Sequence, residues 1–74
     1  MKEFTYKVHE KLAVLSNNGK GYTKEVRMIE YNNSGEPVID IRTWKTDADG
    51  TEHMNKGVTI RLNEVQALIE ALSR

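Results

Sequence analysis

In the run Asp40-Ile41-Arg42-Thr43-Trp44, an acid, a base and the only tryptophan of the chain occupy alternate positions. Successive side chains of a strand point to opposite sides, so this spacing sets all three on one face and leaves Ile39 and Ile41 on the other. An indole beside a guanidinium makes a candidate recognition surface, exposed if the isoleucines turn inward. A second concentration of charge lies at Lys20, Lys24 and Arg27, with only Glu25 between them, whereas Asp47, Asp49 and Glu52 gather in a later loop. A basic face and an acidic face are therefore expected to coexist.

Other chemistry is poorly supplied. The chain has no cysteine, which removes disulfides, thiol nucleophiles and thiolate metal sites together. His9 and His53 are far apart and lack matched acids at ligand spacing, so no metal or cofactor is expected. No nucleophile with its base and no paired acid and base is visible, which argues against an enzyme. Asp47-Ala48-Asp49-Gly50 resembles half a calcium loop, but the remaining acidic positions are missing and a charged turn is expected.

These residues must be positioned by a small domain. At 74 residues, the chain is expected to be one domain over 1–74. Seventeen of these residues are Leu, Ile, Val or Phe, enough for a folded core but a marginal one, so self-association would help. Eleven basic and eleven acidic side chains cancel, so composition alone does not announce a nucleic-acid binder. Met1 to Glu10 holds no apolar run of signal-peptide type and nowhere do eighteen apolar residues follow one another, so a cytoplasmic protein off the membrane is expected.

Alternation of apolar and polar residues predicts strands over Glu3–Ser16, Tyr22–Tyr31, Val38–Lys45 and Val58–Leu62, with a bend near His9, Glu10 and Lys11 in the first. Asn18-Gly19 predicts a hairpin between the first two strands, and Gly35 and Pro37 mark the break before the third. The period then changes. Val65, Leu68, Ile69 and Leu72 recur at i, i+3, i+4 and i+7, which predicts a helix over 64–73, capped by Asn63 with Gln66 reaching back. So short a helix must bury its stripe on the sheet, on a second subunit, or on both.

Three blocks in order, Lys20-Gly21-Tyr22-Thr23-Lys24-Glu25, Asp40-Ile41-Arg42-Thr43-Trp44 and Lys56-Gly57-Val58-Thr59, followed by the terminal helix, resemble the positive cofactor four family of transcriptional coactivators, nearest to its bacterial YdbC-like branch. The resemblance covers roughly Glu10 to the C-terminus. It implies an α+β fold, a curved four-stranded antiparallel sheet followed by one C-terminal helix (ββββα), assembling as a homodimer; the stripe of Val65, Leu68, Ile69 and Leu72, read from its spacing, is then core or dimer interface. It also implies sequence-nonspecific binding of single-stranded DNA, without catalysis, and a partner in the transcription machinery. Lys20, Lys24, Arg42 and Lys56 match positions that contact the nucleic-acid backbone, and Tyr22 and Tyr31 match positions that stack on bases. Eukaryotic members carry an aromatic pair where this chain has Trp44 and Lys45.

Arg27 joins the candidate nucleic-acid-binding set through its basic cluster, and Trp44 is placed either as a stacking ring or as packing. Arg42 has a plainer role open to it, pairing with Asp40 or Glu30 across strands. Single-stranded RNA is an alternative ligand, because stacking and backbone contacts serve both polymers. A different reading is a protein-interaction module that works through an exposed sheet edge or the C-terminal helix. If the chain is bacterial, its expected setting is the nucleoid.

Overall fold

The structure, a computed structural model, describes residues 4–74; the Glu3 start expected for the first strand lies outside them. Four strands follow one another as a meander: β1 (Tyr6–Asn17), β2 (Tyr22–Tyr31), β3 (Val38–Thr46) and β4 (Glu52–Ile60). All neighbours are antiparallel, in the spatial order β1-β2-β3-β4. A 3-10 turn (Leu62–Glu64) leads into the single helix α1 (Val65–Leu72). The ββββα architecture expected from the sequence is thus the one observed.

Short polar side chains set the first turn. The Asn17 Oδ1 accepts the Gly19 N–H at 2.8 Å and the Asn18 Oδ1 accepts the Lys20 N–H at 2.8 Å, holding the chain in tight turns that lead into β2. Gly21, at φ 90°, lies so close to β3 that a Cβ there would stand 2.8 Å from the Thr46 carbonyl oxygen. β1 pairs with β2 through three register shifts, after Val8, Lys11 and Val14. Each shift inserts a residue and adds twist, so the bend expected near His9 is the first of three, and β1 wraps around the edge of the sheet.

The curl decides which face is inside. Trp44 and Ile29 are completely buried, and Glu25, Arg27 and Asp40 are buried with them. All five lie on the face that register and alternation assign to odd positions of β2 and even positions of β3. From β1, Tyr6 reaches across this face to within 5.8 Å of the Trp44 ring, centroid to centroid. Ile39 and Ile41, expected to point inward, lie on the opposite face and are half-buried. Alternation had separated the two sets correctly; the direction of curvature put the tryptophan set inside.

Two boundaries also differ from expectation. β4 begins at Glu52 rather than Val58, because the Glu52 carboxylate is fixed by Arg27 from β2 and the polar segment before Gly57 is pinned as a strand. It ends at Ile60, and Leu62 belongs to the 3-10 turn. The helix start is secured by Glu64, whose carboxylate accepts the Arg61 N–H at 2.8 Å, rather than by Asn63 with Gln66. The tighter 3-10 geometry moves the cap two residues earlier. No residue of α1 is buried, and the helix packs on little beyond the turn that precedes it.

Candidate nucleic-acid interface

On the inner face, opposite charges are arranged to neutralise one another. The Arg27 Nε donates to Glu25 Oε1 at 2.7 Å, and its terminal nitrogens donate to the two Glu52 carboxylate oxygens at 3.1 and 2.8 Å. The guanidinium lies over the Trp44 ring, its central carbon 4.0 Å from the ring centroid. Two carboxylates and an aromatic face thus replace the water that this cation loses on burial. Burial alone would raise the Glu25 carboxyl, but hydrogen bonds from the Thr23 hydroxyl and Arg27 outweigh it and leave the group below the ordinary glutamate range. The bond from Arg27 lowers Glu52 as well.

A second group closes the same face nearer β4. Arg42 donates from Nε and a terminal nitrogen to the two oxygens of Asp40, at 2.7 and 2.8 Å, and from its other terminal nitrogen to the Asn55 carbonyl at 2.7 Å. The Tyr31 hydroxyl donates to Asp40 at 2.8 Å. Burial, reinforced by this bond to a carboxylate, pushes the Tyr31 hydroxyl up to about 12. Of the two pairings open to Arg42 in the sequence, the structure takes Asp40.

Four of the candidate residues therefore sit on the inner face. Arg27 is 2% exposed and Trp44 0%, so neither side chain meets solvent in the protomer, and Tyr31 and Arg42 are held by Asp40. The exposed recognition surface expected from Arg42 and Trp44 is turned inward.

The opposite face carries the remaining candidates and gathers them. Tyr22 and Lys24 on β2, Thr43 and Lys45 on β3, and Lys56 on β4 cluster at one end of the sheet, beside the hairpin that holds Lys20. The Lys45 ammonium lies 5.2 Å from the Tyr22 ring centroid and 3.4 Å from the Lys20 carbonyl oxygen, which ties the hairpin to β3. Among the described residues, Lys20, Lys24, Lys45 and Lys56 form no ion pair. Glu25, Glu52 and Asp40 are engaged by Arg27 and Arg42 on the inner face, away from these lysines. A neutral chain thereby presents a locally positive surface with an aromatic ring in it.

This surface holds a hollow of about 310 Å³ lined by Tyr22, Thr43, Asn55 and Lys56. Its shape follows from a bulge. Between the Arg42–Gly57 and Trp44–Met54 pairs, Asn55 and Lys56 together stand opposite the single residue Thr43. Lys45, Thr43 and Asn55 were not singled out from the sequence as site residues. Alternation from Ile41 through Thr43 to Lys45 carried the signal for two of them, but Asn55 came onto this surface only through the bulge.

A one-sheet α+β meander with a polar, salt-bridged interior and a lysine-rich outer face is the class of domain these features define. The family model described as Transcriptional Coactivator p15 (PC4) matches residues 18–71, and the chain belongs to this family. The family inferred from the three ordered sequence blocks is therefore the one found. The chain is also 35% identical over 71 residues to a protein of Treponema pallidum (strain Nichols) named only as an uncharacterized protein, spanning 96% of this chain and 79% of the relative. No helix among the described residues is long and apolar enough to cross a membrane.

Proposed function

We propose that the protein binds single-stranded DNA, with affinity set by backbone and stacking contacts rather than by a sequence motif, and that it acts as a homodimer in a coactivator-like role. The observation that carries this reading is the segregation of charge. Arg27 and Arg42 are paired with acids on the inner face, and lysines that form no ion pair among the described residues gather around Tyr22 on the outer one. Lysines track phosphates, while a tyrosine ring stacks on any base at roughly 1–3 kcal/mol per base. Lys20, Lys24, Lys45 and Lys56 supply the charge and Tyr22 the ring. Arg42 acts by fixing the β4 backbone at Asn55.

The reading assigns no catalysis and a cytoplasmic, nucleoid-associated setting with a partner in the transcription machinery. A second reading, docking of another protein on α1, draws on Ile69 and Leu72, which are 50% and 76% exposed in the protomer. A second copy of the chain is the occupant favoured here, because it would double the lysine surface while covering the stripe.

The test is a titration of labelled single-stranded and duplex oligonucleotides of one sequence. The single strand is expected to bind more tightly, with affinity falling as salt rises. The double substitution Lys24→Ala with Lys56→Ala is expected to weaken binding roughly tenfold or more at low salt and to leave the thermal melt in place. Equal affinity for duplex, or no binding at all, would exclude this function. An RNA strand of the same sequence, titrated alongside, decides between the two polymers.

A further inference from the structure

The hollow on the lysine face is more specific than a phosphate track requires. At about 310 Å³ it lies at the small end of the range for ligand pockets, roughly 300–1,000 Å³. Its lining is mixed: one aromatic ring, one hydroxyl, one amide and one ammonium. The Asn55 amide and the Thr43 hydroxyl make no hydrogen bond with any described residue, although the Asn55 carbonyl is held by Arg42. The backbone at this point is fixed while the side chain is left free.

That arrangement is built. The β4 bulge turns both Asn55 and Lys56 to one hollow, where regular alternation would have sent one of them inward. The bulge is locked by the bond from Arg42 to the Asn55 carbonyl and by Gly57, whose lack of a side chain lets β4 press against Arg42. A ring for stacking, an ammonium for the adjoining phosphate and an amide that no described residue engages line one hollow, and these are the parts needed to hold one unstacked base.

We propose that the hollow is a single-base subsite that favours a purine, with Asn55 as the residue that reads it. A purine offers Tyr22 the larger π-face. It also presents N7, an acceptor on its fused five-membered ring that no pyrimidine possesses, to which the Asn55 amide N–H donates. Adenine gains further, since its N6 amine donates back to the amide oxygen. This subsite rests on the single-strand reading above and adds to it one position at which base identity matters.

The experiment uses the full chain and a short oligo-dT strand, unmodified or carrying a single central dA, dG or dC. The readout is the affinity of each substituted strand divided by that of all-dT. The dA and dG strands are expected to bind roughly three- to tenfold more tightly than all-dT and the dC strand about equally. In Asn55→Ala the purine ratio is expected to fall to about one, whatever the absolute affinity. Asn55→Asp, nearly isosteric but with no N–H to give N7, is expected to do the same. If purine strands bind no better than dC, or if their advantage survives both substitutions, the subsite is wrong while single-strand binding stands. If no strand binds, the functional reading falls and the subsite with it.

Discussion

Gly57 carries a constraint that its exposed position conceals. A Cβ at this residue would lie 2.0 Å from the Arg42 Cβ and 2.7 Å from the Ile41 carbonyl oxygen, so the neighbouring strand itself would have to move. Gly57→Ala is accordingly expected to cost about 1–3 kcal/mol by overpacking. In a domain of this size that lowers the thermal midpoint by several degrees or more, which a circular dichroism melt would detect. An unchanged midpoint would mean that the β3–β4 contact is looser than described. Trp44 illustrates the opposite case. Its indole looks like a binding platform in the sequence, yet it is the wall against which Arg27 is packed.

At the scale of elements, α1 is the part least explained by its own protomer. Its apolar stripe is expected to be covered by a second copy, because eight helical residues do not hold together alone in water. Leu72 and Ile69 are the most exposed large apolar residues of that stripe. We expect the protein to sediment as a dimer at micromolar concentration and Ile69→Asp with Leu72→Asp to sediment as a monomer with weakened DNA affinity. A monomeric wild-type mass would remove the dimer from the proposal. Placing charges at these two positions should cost the protomer fold little, since neither residue is buried in it.

For the whole molecule, burying paired charge on the inner face couples stability to pH. Glu25 and Glu52 are held below the ordinary glutamate range in the folded state. A carboxylate with a lowered folded pKa stabilises the fold above its unfolded value, roughly 4.3, and that contribution is lost as pH falls through the folded value. Melting temperature is therefore expected to hold between about pH 6 and 8 and to drop progressively below roughly pH 4.5. Glu25→Gln should flatten the acid limb of that profile, and a limb of unchanged steepness would show that other carboxylates control it. Glu25→Gln also leaves Arg27 short of one charged partner, so the variant should be less stable than wild type at neutral pH.

By itself the sequence determined the element order, the two-residue alternation that sorted side chains into two sets, the helical stripe, the antiparallel pairing of the first two strands and the family carried by three ordered blocks. These are local properties, written in spacing and in the conformational tastes of asparagine, glycine and proline. Only the tertiary structure decided which set faces inward. Alternation is symmetric between the two sides of a sheet, and the choice depended on a curl produced by three register shifts in β1 and on the Arg27 pairs that reach from β2 to β4. That choice moved Trp44, Arg27, Tyr31 and Arg42 off the candidate surface and brought Lys45 and Thr43 onto it, and the β4 bulge added Asn55. Asn55 was the least legible of all, since a bulge shifts a side chain from one face to the other and is defined by pairing with a distant strand rather than by the residues it contains.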